Sequence, residues 1–288
     1  MKNLKLKFIS IISTIILVFT CINCQKGNIR EEAAENLLNS PAAAEIYTGL
    51  PRGKQVIQKY FGKDVTFEEI NGEYLLGDII FTEEQVTKSN NINAKGTIIK
   101  TMVKHWPKVG NNYEVPYTID DDLPNINRVL SAIAHWEAHT KLRFVLRRDN
   151  QPDYIRFRRS DDMCKSSIGK KGGVQSIFLA DACTIGNTIH EMGHAIGLFH
   201  EQSHPKYNNY ITVNYQNINP DYYGNFYPQA PSSVRTNKFN FKSIMMYGSY
   251  FFSKNGLPTI VRKDGSTFSV QRDKPSGRDI KIVNKIYN

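Results

Sequence analysis

The spacing of apolar side chains predicts alternating strands and helices in the middle of the chain. Between two strand-like runs, Val129, Ile133 and Trp136 have the spacing of one buried helix face. Beyond His200 the sequence is rich in Asn, Tyr, Pro and Gly and shows little periodicity. This pattern predicts an α+β fold with two lobes, an N-terminal mixed β-sheet with helices and an irregular C-terminal lobe. The strand-like runs are Glu114–Asp120, Lys141–Arg147, Asp153–Arg159 and Val174–Ala180.

Before this region the pattern is less regular. The run Ile29–Leu50 is rich in Ala, Glu and Leu at helical spacing, interrupted by one proline, and a short β-like run covers Glu73–Phe81. Next, Thr82–Thr97 is polar and rich in Asn and Lys, which is typical of an exposed, protease-accessible linker. We therefore divide the chain at this linker into a segment of residues 25–95 and a compact domain of residues 96–288.

The amino terminus has the pattern of an export signal. Lysines precede Phe8–Phe19, which is nearly unbroken apolar sequence. A basic start followed by roughly a dozen apolar residues is typical of a secretory signal and is too short for a stable membrane anchor. We therefore predict a signal peptide over residues 1–24 and a secreted protein. The alternative is a cell-surface lipoprotein with a lipid anchor at Cys21 or Cys24, although the residues before each cysteine fit a lipidation site poorly.

The cysteine count and the charge add two expectations. Removal of the signal leaves Cys164 and Cys183, and an even pair in an oxidising compartment predicts a disulfide. The formal net charge of +10 comes mainly from the C-terminal portion and is densest at Arg156–Ser160. A solubilising basic surface explains this charge, and a polyanion partner or acidic residues in substrates are the alternatives. The sequence has no helix-turn-helix, zinc-finger or RNP signature, so we expect no nucleic-acid partner.

One stretch concentrates the histidines. The run "TIHEMGHAIGLFHEQSHP", Thr188–Pro205, contains four of the chain's seven histidines. His190 and His194 are one helical turn apart on one face, which is the separation that two imidazoles need to bind one zinc ion. Gly197 can end the helix in a left-handed conformation and return His200 to the metal as a third ligand. Three protein ligands leave one position for water, as in a catalytic zinc site.

Two further side chains in this stretch differ in their expected roles. Glu191 follows the first ligand and projects beside the metal, where its carboxylate can take a proton from water and pass it to a leaving amine. His204 lies in a proline-containing turn and the ligand set is complete without it, so we do not expect it to bind the metal. HExxH alone occurs by chance, but the added Gly and third His at fixed offsets make the prediction of a zinc site specific.

This pattern resembles the metzincin clan of zinc endopeptidases, whose second mark is a tight turn with a methionine beneath the zinc. The matching turn is "SIMMYG", Ser243–Gly248. Glu201 after the third histidine is similar to the astacin family and separates the chain from other metzincin families. Similarity extends from Lys104 to Tyr287, through the opening "HWPKVGNNYEVPYTI" and the closing "SGRDIKIVNKIY". The chain is identified as a bacterial-type member of the astacin family with a signal peptide and a pro-segment, and the resemblance implies a metzincin-like, two-lobed catalytic domain.

The resemblance implies a catalytic role for each matching residue of the site. One zinc ion per chain would be bound by His190, His194 and His200, with Glu191 as the general base. Tyr247 would be a switchable zinc ligand that swings away to stabilise the oxyanion, and it is therefore expected to be catalytic as well. The activity implied is cleavage of internal peptide bonds by a zinc-dependent endopeptidase.

Other matching residues are implied to be structural. Met245 takes the position of the methionine in the turn, and the cysteines of the mature chain match the family's inner disulfide. Glu201 would receive the buried amino terminus of the processed domain, which family spacing places near Gly96 or Thr97. This salt bridge would form only after cleavage, so an activating protease is one expected partner.

The same resemblance implies a role for residues 25–95, the segment before the domain. Astacin pro-segments carry F-x-G-D, whose Asp takes the place of water on the zinc; here Gly77 and Asp78 match, with Leu75 in place of Phe. Asp78 would therefore be a zinc ligand in the zymogen only. The substrate would be a polypeptide bound extended along Val174–Ala180, which is expected to form the upper rim of the cleft and to pair with substrate by strand addition.

The sequence also departs from the family. The second disulfide of the family is absent, with Lys141 at one of its positions, and Met246 stands where many relatives have His. A catalytically silent zinc-dependent binding module is a rival hypothesis from another class, but an inactive relative would be expected to lack Glu191 or a ligand. Two further hypotheses are a peptidase of another metzincin family and a polyanion-binding protein.

Overall fold

The computed structural model describes Glu45 and residues 53–90, 102–228 and 238–288. The predicted signal peptide with Cys21 and Cys24, most of the Ala-rich run, and the expected cleavage point in the linker lie outside the described residues. Among the residues described, no helix is both long and apolar enough to cross a membrane.

Residues 53–82 form a four-stranded antiparallel meander. Its first two connections are two-residue turns with positive φ at both positions, Phe61–Gly62 (48° and 78°) and Asn71–Gly72 (52° and 79°). Such turns match the twist of paired strands. The β-like run Glu73–Phe81 is two strands rather than the single strand expected, because the chain turns at Gly77, where φ is 65°. The strands are β1 Lys54–Tyr60, β2 Lys63–Ile70, β3 Glu73–Leu76 and β4 Ile79–Thr82.

The expected linker Thr82–Thr97 is helical in its first part, so the prediction is wrong there. Helix α1 covers Glu83–Ser89. Thr82 Oγ1 accepts a hydrogen bond from Gln85 N at 3.2 Å, and Gln85 Oε1 accepts one from Thr82 N at 2.9 Å. This capping box satisfies two backbone donors at once and begins the helix within a polar sequence.

The meander continues into the sheet of the remaining chain. Six further strands are β5 Lys108–Val109, β6 Asn112–Ile119, β7 Leu142–Leu146, β8 Tyr154–Arg159, β9 Lys165–Ser167 and β10 Val174–Leu179. Together they form one ten-stranded sheet in the order β1-β2-β3-β4-β9-β10-β8-β6-β5, with β7 paired to β6. The pairs β4–β9, β8–β10, β6–β7 and β6–β8 are parallel and the others antiparallel, so the sheet is mixed, as expected for the fold class.

The expectation that Val174–Ala180 forms the exposed rim of the sheet is wrong. Strand β10 lies inside the sheet, between β8 and β9. Its backbone is occupied on both sides because the short polar strand β9, which shows no strand pattern in the sequence, pairs with it antiparallel. Strand β9 is therefore the outermost strand of residues 102–288 on this side, and its far edge pairs with β4.

Two helices pack on this sheet and are fixed by buried tryptophans. The Trp136 indole donates to the carbonyl of Ile189 at 3.1 Å, and the Trp106 indole donates to that of Ala195 at 3.0 Å. Both rings are almost fully buried, so they combine apolar contact area with a satisfied N–H. The apolar face predicted from Val129, Ile133 and Trp136 is buried. The helices are α2 Asn127–Glu137 and α3 Ile185–Ala195.

The C-terminal lobe has little regular structure, as expected, but it has an apolar core of its own. Phe226, Tyr247 and Phe251 are fully buried in that core. Strands β11 Ile211–Val213 and β12 Ile260–Arg262 form a small separate sheet, and helix α4 covers Gly277–Ile286. The 3-10 helices described there are Glu201–Ser203, Tyr207–Asn209, Tyr215–Asn217 and Pro220–Phe226.

The predicted disulfide between Cys164 and Cys183 is confirmed. It links the residue before β9 to the turn before α3 and closes a loop with a sequence separation of 19. Both cysteines are buried.

Replacing both cysteines by serine is expected to lower the free energy of unfolding by about 3 kcal/mol, because a loop of this length loses that much conformational freedom when closed in the unfolded chain. Urea unfolding of the full chain measures the loss. The wild type unfolded under reducing conditions is the control and should show the same midpoint as the double variant. An unchanged free energy of unfolding in the double variant would contradict the prediction.

Candidate active site

Helix α3 carries two of the predicted ligands, and the turn after it carries the third. Thr184 caps the helix and forms a capping box with Asn187. His190 and His194 lie one turn apart on the helix, which ends before Gly197, whose φ is 101°. The left-handed turn returns the chain so that His200 stands beside the other two imidazoles. All three imidazoles are buried.

The three imidazoles converge on one point, and Asp78 joins them from the meander. His194 Nε2 lies 3.1 Å from His190 Nε2 and 3.1 Å from His200 Nε2. The Asp78 carboxylate lies 3.1 Å from His190 Nε2 and 3.0 Å from His200 Nε2. One ligand atom from each of the four side chains lies within 4.8 Å of the others, so they can hold one metal ion.

The hydrogen bonds around the imidazoles show that a cation fits this point. His190 Nδ1 lies 2.7 Å from the carbonyl of Ile244, and His194 Nδ1 lies 2.7 Å from the carbonyl of Leu198. A carbonyl only accepts, so each Nδ1 carries the proton and each Nε2 of the neutral ring presents a lone pair to the centre. Lone pairs facing a carboxylate at about 3 Å repel unless a cation lies among them.

The protonation of the site also suits a metal. Burial lowers the pKa of His200 to about 3 and lowers the pKa of His194, so both rings are neutral ligands at ordinary pH. Burial by itself would raise the pKa of Asp78, but the imidazoles that face its carboxylate, His200 above all, outweigh burial and hold that pKa well below its usual range. Three imidazole nitrogens and one carboxylate oxygen form a donor set that zinc accepts in tetrahedral geometry.

Glu191 lies directly beside the first ligand, as expected. Its side chain is fully buried, and among the residues that the structure describes neither carboxylate oxygen has a hydrogen-bond partner. Burial raises its pKa well above the usual range, and the nearby carboxylates Asp78 and Glu45 raise it further. A buried carboxyl of raised pKa beside a metal site is able to take up and return a proton.

The turn Ser243–Gly248 places Tyr247 beside Asp78 and His200, and Met245 beside α3. The Tyr247 hydroxyl donates to Asp78 Oδ1 at 3.2 Å, and its ring centre lies 4.2 Å from that of His200. Burial raises the pKa of Tyr247, and Asp78 raises it further, so the phenol keeps its proton. Met245 packs under α3, since a Cβ added at Gly193 would lie 2.7 Å from the Met245 sulfur.

Glu201 and His204, the other two residues of the histidine stretch for which the sequence makes a prediction, lie outside the four-residue metal cluster. Glu201 is buried and accepts a hydrogen bond from Asn240 N at 2.8 Å. It lines a small cavity together with Val103, Met245 and other residues. His204 accepts a hydrogen bond from Lys206 N at 3.0 Å and lies outside the four-residue cluster.

Three polar residues that the sequence pattern does not indicate lie on or beside α3. Glu45, Arg272 and Asn187 form a buried hydrogen-bonded group next to His190. No motif or periodicity in the sequence indicates them, because Glu45 and Arg272 are separated by 227 residues. Asn187 has one local signal: it stands at the third helical position after Thr184, where a capping residue is expected.

The basic cluster Arg156–Ser160 is largely neutralised by neighbouring carboxylates. Arg156 Nε lies 2.6 Å from Asp120, and Arg159 Nη2 lies 3.1 Å from Asp181. This part of the surface therefore gives no separate support for a polyanion or acidic-substrate site.

The fold and the three-histidine site define a zinc metalloprotease. The sequence model of the astacin family of peptidases matches residues 98–288, and the chain belongs to that family. The donor set described above fits the zinc that this family binds.

Similar proteins come from animals. The chain is 34% identical over 223 residues to the zinc metalloproteinase nas-4 of Caenorhabditis elegans, covering 75% of this chain and 70% of that protein. It is 36% identical over 234 residues to blastula protease 10 of the sea urchin Paracentrotus lividus, covering 73% of this chain but only 38% of that protein. Among solved structures, high choriolytic enzyme 1, a hatching enzyme zinc-protease from medaka fish, aligns with a TM-score of 0.58 at 28% identity, over 62% of this chain and 92% of that one.

Proposed function

We propose that the processed chain is a secreted endopeptidase that hydrolyses internal peptide bonds of proteins, with Glu191 as the general base. The observation that carries this proposal is the buried carboxylate of Glu191, which has no hydrogen-bond partner in the described part of the chain and lies beside three converging imidazoles. A structural metal site requires no proton-transferring group, whereas a hydrolase needs a carboxyl of this kind to transfer protons.

His190, His194 and His200 would hold the zinc ion. When bound, zinc supplies Lewis-acid chemistry, which polarises a carbonyl and lowers the pKa of water. Glu191 takes a proton from the attacking water and delivers it to the leaving amide nitrogen. Tyr247 keeps its phenolic proton and, once Asp78 has left, donates a hydrogen bond to the oxygen on which negative charge develops.

The substrate is proposed to bind along β9 instead of β10. Strand β9 is short, and its far edge is taken by β4 through hydrogen bonds from Ser166 N to Asp78 O at 2.9 Å and from Ile168 N to Ile80 O at 3.2 Å. Removal of the meander would free these backbone groups for an extended peptide. The substrate is therefore proposed to be polypeptide backbone, and the released edge lies directly beside the metal point.

Residues 25–95 are proposed to be a pro-segment that makes the chain a latent zymogen, with residues 96–288 as the catalytic domain. Asp78 blocks the position that water needs, since its carboxylate already contacts His190, His200 and Tyr247. The meander carries it there on the turn at Gly77 and holds it through β4. Latency would end when an activating protease cuts the linker.

Glu201 is proposed to receive the new amino terminus after that cut. Its buried carboxylate lines a small cavity that Val103 also lines, and Val103 lies a few residues after the expected cut near Gly96 or Thr97. A charged amino group entering this cavity would pair with the carboxylate, because hydrogen bonds between two charged groups are among the strong ones. The signal peptide, the alternative lipid anchor at Cys21 or Cys24 and the bacterial-type domain arrangement stay predictions.

Gly77→Ala is expected to raise the activity of the uncleaved precursor about tenfold, because strain and contact at this turn cost ~1–3 kcal/mol. A Cβ there would lie 2.4 Å from Asn225 Oδ1 and 2.7 Å from the Tyr247 hydroxyl, at a φ of 65°. The initial rate of cleavage of a fluorogenic peptide by intact precursor measures the effect. Gly72→Ala is the matched control, since φ is 79° there but nothing lies within 4 Å, and it should stay latent. Equal rates for the two variants would contradict the prediction.

The proposed function is tested by the cleavage of an unfolded protein substrate by the processed chain. Activity is expected to disappear with a zinc chelator and to return when zinc, but not magnesium, is added back, because nitrogen donors favour zinc. Fragments released from internal positions would separate an endopeptidase from an exopeptidase. Undiminished cleavage in excess chelator, or no cleavage by the zinc-loaded processed chain, would overturn the proposal.

A further inference from the structure

A second carboxylate of the proposed pro-segment reaches the catalytic helix. Glu45 is fully buried, and its two oxygens receive the fork of Arg272, from Nε to Oε1 at 2.7 Å and from Nη2 to Oε2 at 2.6 Å. The Arg272 side chain is itself 1% exposed. A paired, two-point contact of this kind is the strongest geometry available between an arginine and a carboxylate.

Asn187 completes the site from the first turn of α3. Its amide nitrogen donates to Glu45 Oε1 at 2.8 Å. Its amide oxygen accepts from Thr184 N at 2.8 Å as part of the helix cap, so the cap fixes which end of the amide faces the carboxylate. The orientation of Asn187 is therefore set by the helix itself rather than by Glu45.

Arg272 is also held in place by contacts that do not involve Glu45. Its guanidinium donates to the carbonyls of Met246 at 3.1 Å and Gln271 at 2.9 Å. Its backbone lies against the start of α3, where a Cβ on Gly186 would lie only 1.5 Å from the Arg272 carbonyl oxygen. Arg272 and Asn187 thus form a preformed carboxylate-binding site on the catalytic domain.

This site lies on the other side of His190 from Asp78. Asp78 Oδ2 is 3.1 Å from His190 Nε2, whereas Glu45 Oε2 is 3.8 Å from His190 Nδ1. Ligand atoms of Glu45, His190 and Glu191 lie within 4.8 Å of one another. The Glu45 carboxylate therefore lies next to the proposed general base, while the Asp78 carboxylate lies where the three imidazoles converge.

We propose that Glu45 is a second latency contact, which fills the carboxylate-binding site of Arg272 and Asn187 independently of Asp78. The inference rests on the proposed zymogen function. Removing one partner of a buried ion pair leaves an uncompensated charge, so the site resists release of Glu45. Two carboxylates 33 positions apart in sequence then hold the pro-segment at two places, and loss of one leaves the other in place.

The test compares full-length precursors that carry Glu45→Gln, Asp78→Asn or both changes. Glutamine keeps the shape of Glu45 and removes its charge. Glu73→Gln is the matched control, because Glu73 also forms an ion pair between the meander and the catalytic region, with Lys171, but outside the cleft. The initial rate on a fluorogenic peptide is read while electrophoresis shows the precursor intact.

The double variant is expected to be about ten to a hundred times more active than Asp78→Asn, because loss of a charge-assisted hydrogen bond changes an equilibrium constant by about that factor. Adding Glu73→Gln to Asp78→Asn should leave the rate within about twofold. If processed wild type is active but Asp78→Asn and the double variant have equal rates, the inference is overturned. If processed wild type is inactive, the proposed function fails and the inference fails with it.

Hydrogen–deuterium exchange of the intact precursor gives a readout that needs no activity. Glu45→Gln is expected to speed exchange at least about tenfold in peptides spanning residues 185–190, because the first turn of α3 loses a buried contact. Glu73→Gln should leave these peptides unchanged. Unaltered exchange in Glu45→Gln would also overturn the inference.

Discussion

Glu191→Gln is expected to lower the rate of peptide-bond hydrolysis by the processed chain by roughly 10²–10⁴, the usual contribution of a positioned general base. The amide has the shape of the carboxylate but cannot accept a proton from water. Because Glu191 is buried without a partner among the described residues, its replacement breaks no hydrogen bond on which folding depends. The loss should therefore appear in kcat and not in stability.

The measurement is kcat and KM for a fluorogenic peptide, with zinc content and thermal unfolding of the same samples. Asp181→Asn is the matched control, since it makes the same change of charge just before α3 on a side chain that is 64% exposed. The control should keep wild-type activity. A Glu191→Gln variant that binds zinc and retains full kcat would exclude Glu191 as the proton carrier.

Asp78→Ala is expected to yield a precursor that cleaves peptides before the linker is cut. The Asp78 carboxylate is fully buried against three imidazoles and a phenol, and the loss of such a charge costs about 3–5 kcal/mol. A free energy of that size shifts the closed-to-open ratio of the cleft by about 10²–10⁴. The Glu45 contact would keep the rise in activity below that limit.

Initial rates of intact precursor, before any processed band is visible, measure the effect. Asp64→Asn is the control from the same meander, because its side chain is 65% exposed and pairs only with Lys59 among the contacts described. This control should stay as latent as the wild type. Equal latency of Asp78→Ala and wild type would contradict the role of Asp78.

The metal-binding residues were predictable because they are local in sequence. His190 and His194 depend only on the period of a helix, and His200 depends on one glycine that turns the chain. The disulfide followed from there being a single pair of cysteines after the signal. Such features require no knowledge of the tertiary fold.

The first part of the meander has a local hairpin signal in its sequence. Asn71–Gly72 lies between two alternating runs, which is the strongest short-range mark of a hairpin, and both residues have positive φ. Only the run after this turn was recognised as strand-like. Strand β9 has no such signal. Its three polar residues show no alternation of apolar and polar positions, and the strands beside it decide its pairing.

The Glu45–Arg272 pair could not be predicted from sequence. One partner lies in an Ala-rich run and the other precedes the last helix, and nothing local marks either as buried. Charged residues are usually exposed, so both would be assigned to the surface. Tertiary packing alone brings them together. Gly186 contributes because, without a side chain, it lets the Arg272 backbone approach the start of α3 closely.

Under the proposed zymogen function, the single sheet shared by the meander and residues 102–288 makes activation depend on dilution. While the linker is intact, β4 meets β9 at an effective concentration on the order of millimolar, set by the tether and not by the amount of protein. A cut in the linker would turn this contact into an encounter between two molecules. At high protein concentration the severed meander would often rebind, whereas after dilution it would be lost. Under this proposal, the cut and the volume into which the protein is diluted would together set when the enzyme becomes active.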